Sequence, residues 1–600
     1  MPAIAISNND VAFIAWRFDQ KIPNCLGFAI YRIDSTGAEK CLPAWVGFQG
    51  QSNPTWQSKT TAIWPVQKFT WRDLTATRGE TYTYRIVPMT GAPDKLVAKN
   101  DAAMITNAVT ITEKRGDFNA YFNRGILSTQ SLSHQLPQGP NGAPNYTKLM
   151  GRIDQPGDPL RNSLSGQLRE AMLGLFERAK AEGGEMFCAL YELTDPELEQ
   201  QLLAAKDFVH IILSNTGADD AENAPARQAL HQAGIDITDR MVQTGHIGHN
   251  KFVVYVDKQG QPAGVWTGST NWTDTGLCAQ CNNGIWIESP KLAAVYRDYW
   301  NRLKEDDSAQ GPQFRSDNDE AHAVKADGGS TDITLWFSPN TKQKNKPSGN
   351  AAATPDDMNA VFQAMQGAQE AILFLVFQPG SPSIVDQAAD IQDQNQNLFI
   401  HGAATDPGAV NDFNTHLFHR TGAQTDTDVV AATAINDQFG YWEKELLKAS
   451  PGAHAIIHDK IIVIDPFSPN CVVITGSHNL GYRASYNNDE NLLIIRGNNA
   501  LAAAYAVHVM DVYDHYRWRF MVQQKGDAAW TGLVTDDAWQ DKYFKEGTGS
   551  YRELDFWMQA GATVNTAKVP TAKAAPPASS KKNAPAKKPS GRSRNSRASL

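Results

Sequence analysis

Six cysteines in 600 residues are too few for a disulfide framework. Cys278 and Cys281 form an isolated C-x-x-C with no second pair at zinc spacing, so the thiols read as reduced and structural. No segment approaches about eighteen uninterrupted apolar residues, which excludes a transmembrane helix. The first ten residues, Met1 to Asp10, lack both a basic and a long apolar region and are not a secretory signal. The expected location is the cytoplasm, or outside it by a route that needs no N-terminal signal peptide. Basic charge is also scarce over most of the chain. Residues 566–600 carry six lysines, three arginines and no acids, so the net charge of −9 leaves −18 on the preceding 565 residues. A body that acidic is poorly suited to phosphate backbones, which are bound chiefly through lysine and arginine.

What is present suffices for several cores. The hydrophobic fraction is 41%, with 15 tryptophans, and the length predicts more than one domain. Residues 1–113 read as short strands, among them Val11 to Trp16, Phe28 to Ile33 and Tyr82 to Val87. The run Leu74-x4-Gly79-x2-Tyr82-x-Tyr84-x-Ile86 resembles the tyrosine-corner region of fibronectin type III sandwiches, with Trp16 as a core residue. This all-β module is expected to bind or position a protein partner.

From about residue 116 helix and strand alternate, the pattern of an α/β fold. Asn162 to Lys180 is helical, with Leu164, Leu168, Met172, Leu175 and Phe176 on one stripe. Strands are expected at Glu185 to Leu193 and Phe208 to Leu213, and helices at Pro196 to Ala205 and 223–233. Residues 305–330 are charged and rich in Gly, Ser and Asp, and read as a linker. Then the alternation restarts and runs to about 545. Residues 566–600, rich in Ala, Pro, Ser and Lys, cannot bury enough apolar surface to fold and read as a disordered basic tail.

Two stretches organise the chain. His249-Asn250-Lys251 opens an apolar β-branched run that reaches Asp257, and Gly268-Ser269-Thr270-Asn271 follows. The same order recurs 209 positions later as His458-Asp459-Lys460, Asp465 and Gly476-Ser477-His478-Asn479. Residues two apart on a strand share a face, so each histidine points with its lysine. Two such sets suit a phosphodiester. One neutral imidazole attacks while the other, protonated, gives its proton to the leaving group. Lysines and asparagines hold the non-bridging oxygens as a five-coordinate phosphorus forms. Each aspartate can orient a histidine or compensate local charge. The lysines would repel a cation and no carboxylate cluster adjoins either motif, so neither metal nor cofactor is expected. His246, His401, His416, His419 and His454 read as structural or surface residues; His478 has no counterpart, since Thr270 stands there.

These H-x-K…D…G-S-x-N elements resemble the paired HKD motifs of the phospholipase D superfamily, over roughly residues 116–525. The resemblance implies two homologous α/β domains, here 116–304 and 331–545, sharing one active site at their interface, behind the β-sandwich. It implies a metal-independent displacement through a phosphohistidine. By position His249 is the nucleophile and His458 the general acid that later activates water or an alcohol. Lys251, Lys460, Asn271 and Asn479 hold the phosphate. Ser269 and Ser477 match the family's Gly-Ser position and are expected to bind the phosphate with them, and Glu490 matches an acidic residue found after the second motif, in a supporting role. Two departures stand out: five residues separate Lys251 from Asp257 where the second motif has four, and Asn282 stands where Glu490 predicts an acid. A bulge would restore the first spacing.

The superfamily includes phospholipases, phosphatidyl transferases and nucleases. The acidic body favours a phospholipid at a membrane surface, and the tail favours nucleic acid or an anionic membrane. An inactive binding protein is disfavoured by two complete motifs.

Overall fold

The computed structural model describes residues 2–51, 53, 57–124, 151–216, 220–348, 352–380, 382–405, 428–431, 457–525 and 532–561. Runs such as Lys251–Val256 and Ile461–Ile464 are buried throughout, as strands covered on both faces must be. They form the middle of two sheets of identical strand order. The first runs Lys114–Arg115, Phe118–Phe122, Asn283–Ile287, Pro262–Gly268, Lys251–Val256, Glu185–Leu190, Val209–Thr216, Asp236–Val242. The second runs His322–Ala326, Thr331–Ser338, Glu490–Arg496, Val472–Gly476, Ile461–Ile464, Ala371–Val376, Phe399–Ala404, Asp428–Ala431. In each, the last three strands are parallel and the other neighbours antiparallel.

The repeat seen in the motifs therefore extends to whole domains. Pro290–Glu305 follows one sheet's Asn283–Ile287, and Asn499–Lys525 follows the other's Glu490–Arg496. Tyr296 and Tyr299 of the first helix and Tyr505 and Tyr513 of the second share one apolar core, which makes the domain boundary continuous interior. No helix among the described residues is long and apolar enough to cross a membrane.

Residues 305–330 are more than a linker. They contain the helix Pro312–Ser316 and the strand His322–Ala326, which pairs with Thr331–Ser338 as the edge of the second sheet. Their polar composition fits an edge position, where one side faces solvent. Asp236–Val242, likewise polar, is an edge strand with no apolar signature in the sequence.

At the N-terminus two sheets pack face to face. Ala3–Ser7, Ala12–Trp16 and Thr70–Asp73 form one, and Cys25–Ile33 and Thr81–Ala92 lie at the centre of the other. Ile14 and Trp16 meet Phe28, Ile30, Tyr84 and Ile86 between them. The Tyr82 hydroxyl accepts the Thr77 backbone N–H at 3.3 Å, the bond a tyrosine corner makes. Leu74 is 57% exposed and takes no part in the core.

The C-terminal residues tie this module to the second α/β domain, where Phe556 stacks on Phe399 at 4.6 Å. Trp539, Tyr543 and Leu554 enter the sandwich core, Leu533 packs with Phe48, and Trp557 meets Phe13 at a ring-centroid distance of 3.9 Å. The basic tail, 566–600, lies outside the described residues.

Candidate active site

His249 and His458 lie just before the central strands Lys251–Val256 and Ile461–Ile464, at the strand ends where the two domains meet. Their rings face one another with centroids 6.2 Å apart and planes at 77°. Lys251 Nζ donates to the His249 carbonyl at 2.7 Å, and Lys460 Nζ to the His458 carbonyl at 2.6 Å. Each ammonium also lies over an aromatic ring that ends the neighbouring strand: Lys251 over Tyr191 at 5.2 Å, Lys460 over Phe377 at 5.5 Å. The same rings flank the histidines, Tyr191 beside His249 and Phe377 beside His458. All four motif side chains are almost fully buried.

Each imidazole is oriented by the other domain. His249 Nδ1 lies 2.8 Å from Glu490 Oε2, and His458 Nδ1 lies 3.0 Å from Asn282 Oδ1. The Asn282 amide nitrogen donates to the Gly276 carbonyl and to Gln280 Oε1, which turns its oxygen toward His458. Both histidines therefore carry their proton on Nδ1 when neutral and present Nε2 to the space between them. One partner is an anion and the other a neutral amide. This is the chemical difference between the halves.

Burial, then the nearby lysine charges, pushes His249 well below the ordinary imidazole range, and His458 likewise. Both rest neutral at pH 7. Burial raises the Glu490 carboxyl to about 7, against the opposing charges of His478 and Lys251. It lowers Lys251 to about 7 and Lys460 well below the usual ammonium range. A bound phosphate anion supplies the charge these desolvated lysines lack, and favours a protonated imidazole beside them.

Ser269 and Ser477 do not have the free hydroxyls expected of phosphate ligands. Ser269 Oγ donates to Asn282 Oδ1 at 2.8 Å and accepts the Asn283 N–H. Ser477 Oγ accepts the Asn491 N–H at 3.0 Å. They hold the two residues that orient the histidines. The preceding Gly268 and Gly476 have φ of 145° and 141°, and a Cβ on either would meet a carbonyl oxygen at 2.4 or 2.3 Å.

Asp257 and Asp465 stand at the far ends of the strands, eight and seven residues or ~25 Å along the chain from the histidines, and orient neither. Asp257 caps a turn by accepting the Gln259 and Gln261 N–H groups. The expected bulge is there, between Tyr255 and Val256. Asp465 accepts the N–H groups of Gln369, Glu370 and Ala371, fixing the start of the strand beside its own.

Asn271 and Asn479 follow the Gly-Ser turns as expected, each with a side-chain oxygen that lacks a protein partner among the described residues. Asn271 Nδ2 donates to Glu192 Oε2 at 2.5 Å. Glu192 is a site residue that the motifs do not reveal. Burial lifts its carboxyl to about 7, and Lys251 is the strongest influence lowering it. The strand register supplies the missing signal: Leu190 opposes Lys251, so Tyr191-Glu192 matches Phe377-Gln378 of the second domain. His478 lies 3.1 Å from Ser485 Oγ and beside Asp357, where it holds its turn. His246 is bonded to Gln310 and Asn345, and His401 packs on Phe399; His416, His419 and His454 lie outside the described residues.

The interface beneath the histidines repeats the same reciprocity. Thr267 of the first domain donates to Asn491 of the second, and Asn283 of the first donates to Thr475 of the second. Arg240 of the first pairs with Asp489 of the second at 2.5 Å. One family model, described as cardiolipin synthase, PLD-like domain, matches residues 176–304 and 361–510, which takes in both motifs and both orienting residues. The chain belongs to the phospholipase D superfamily. Its members are phosphodiesterases and phosphotransferases, and its two-domain plan is the one seen here.

Curated sequences give no match. Among solved structures, the chain is similar to the phospholipase D family member Nuc from Salmonella typhimurium: 25% identity over 22% of this chain and 84% of that one, TM-score 0.19. Phosphatidylserine synthase from Haemophilus influenzae is 11% identical over 58% of this chain and 85% of its own, TM-score 0.38. Yeast tyrosyl-DNA phosphodiesterase is 10% identical over 54% and 84%, TM-score 0.29. Within this chain the two halves of the site differ at two places: Glu490 against Asn282, and Glu192 against Gln378.

Proposed function

We propose that the protein is a phospholipase D-type phosphodiesterase that hydrolyses phospholipid head groups, or transfers them to an alcohol, through a phosphohistidine on His249. The observation that supports this most directly is the pair of facing imidazoles of which only one is backed by a carboxylate. Glu490 stabilises the positive charge that develops on His249 as its Nε2 bonds to phosphorus. His458, held by a neutral amide, gives its Nε2 proton to the departing alkoxide more readily than a carboxylate-bound imidazolium would. In the second half His458 takes a proton from water or an alcohol, whose oxygen attacks phosphorus and releases His249. Lys251, Lys460, Asn271 and Asn479 stabilise the equatorial oxygens in both halves.

Phospholipid as substrate is supported by the −18 body, which repels a nucleic-acid backbone, and by the lipid enzyme in the matched family's description. The nine positive charges of the tail favour a second reading, a nuclease using the same chemistry. Purified protein offered phosphatidylethanolamine or phosphatidylglycerol vesicles and, separately, plasmid DNA distinguishes them. Head-group release that disappears in His249→Ala is the expected result. Nicked plasmid with intact vesicles makes the nuclease reading correct.

A further inference from the structure

Behind His458 lie three side chains that the displacement does not use: Cys281 of the first α/β domain, and Asp459 and His508 of the second. They are buried, at 3%, 0% and 2% exposure. Cys281 Sγ lies 2.9 Å from Asp459 Oδ2; His508 Nε2 lies 3.1 Å from that oxygen and 3.8 Å from the sulfur. Asp459 Oδ1 has no hydrogen-bond partner among the described residues although it is fully buried. An unpaired carboxylate oxygen in a dry interior is costly unless something positive meets it.

The internal repeat sharpens the case. Asp459 corresponds to Asn250, each between the His and Lys of its motif. Cys281 corresponds to Asp489, each one residue before the partner of the opposite histidine. His508 corresponds to Tyr299, each three residues after a tyrosine, Tyr505 or Tyr296, that reaches Asn283 or Asn491. The first of these trios is an ordinary polar set in which Asn250 Nδ2 donates to the Tyr299 hydroxyl at 3.0 Å. At the related place all three positions carry a metal-ligating type: thiol, carboxylate, imidazole.

We propose that Cys281, Asp459 and His508 form a structural zinc site that joins the two α/β domains directly behind His458. A sulfur, nitrogen and oxygen donor set suits Zn²⁺, whereas Mg²⁺ and Ca²⁺ take oxygen ligands. Around a tetrahedral zinc with bonds of ~2.0–2.3 Å the donor atoms stand ~3.3–3.6 Å apart, so these three need move only by about half an ångström. Binding releases the thiol proton to solvent, and thiolate plus carboxylate then balance the two positive charges of the ion, as a buried site requires. Asp459 Oδ1 or a water fills the fourth position. The ion takes no part in the displacement. It fixes the loop of the general acid, whose N–H already donates to the Cys281 carbonyl at 2.9 Å.

The test is metal content. Untagged full-length protein is exposed to zinc, freed of excess by gel filtration and measured by mass spectrometry of the elements. About one equivalent per chain is expected, falling to background in Cys281→Ser and in His508→Gln. Cobalt exchanged into the wild type gives a thiolate charge-transfer band in the near ultraviolet, a readout that does not depend on either variant folding. Chelated wild type is expected to melt at a lower temperature and to recover with zinc. Zinc-exposed wild type with no stoichiometric metal, a content that both variants leave unchanged, or bound cobalt without the thiolate band overturns the proposal.

Discussion

Glu490 of the second α/β domain crosses the boundary to hold His249 of the first, its carboxylate oxygen 2.8 Å from Nδ1. The matching reach in the other direction ends in an amide, Asn282. If this asymmetry assigns the two roles, reversing it reverses them. In Glu490→Gln the rate should fall by about 10–100-fold, the range for an orienting partner. In the double variant Glu490→Gln, Asn282→Asp, the phosphoryl group trapped by alkaline quench should be found by mass spectrometry on His458 instead of His249.

His249→Ala should lose turnover altogether, with no phosphorylated protein on any substrate. His458→Ala should differ by leaving group. A p-nitrophenyl phosphodiester needs little protonation to depart, so a burst of p-nitrophenolate followed by a slow rate is expected. Alkyl diesters should slow by about 10²–10⁴-fold.

The affinity of the empty site for an anion should fall as pH rises through 7. Lys251, lowered to about 7 chiefly by burial, loses its positive charge over that range. Glu192, raised to about 7 chiefly by burial, gains a negative one. Both changes oppose an anion beside Lys460 and Glu490. Sulfate, which does not itself titrate there, is the suitable competitive inhibitor. Glu490, also raised to about 7, gains a negative charge there as well, so the logarithm of the inhibition constant should rise with a limiting slope of about three per pH unit, and of about two in Glu192→Gln.

The motif aspartates should matter to folding alone. Asp465→Ala removes the acceptor of three N–H groups, of which only that of Ala371 is buried, and should cost ~1–3 kcal/mol by denaturant titration, with kcat per folded molecule nearly unchanged. Asp257→Ala, at a partly exposed turn, should change stability by less than ~1 kcal/mol. A large kcat loss at constant stability in either variant contradicts their placement.

The domain repeat and the facing histidines were legible because paired motifs fix which strands lie at the centre and which residues open them. Asp257 and Asp465 were misassigned because a shared motif says that residues recur together, not that they touch; along a strand, seven positions from His458 to Asp465 put them at opposite ends. The serines were read as ligands for the same reason. Glu192 escaped because its role depends on strand pairing, which brings Leu190 opposite Lys251 across some sixty residues. The edge strands His322–Ala326 and Asp236–Val242 escaped because half-solvated strands need no apolar run. The C-terminal helices could not be allotted to the sandwich, since nothing local distinguishes the partner of an aromatic residue 500 positions away.

That last attachment has a consequence in time. Trp539 donates its indole N–H to the Cys25 carbonyl, and Phe69 lies between Trp539 and Tyr543. The sandwich thus receives some pieces of its interior only after both α/β domains have been synthesised. Until then Phe28 and Phe69 lack a cover, and both α/β domains have the chance to fold while the sandwich is still incomplete. Premature termination near residue 530 would therefore damage the beginning of the protein, and leave both histidines in place.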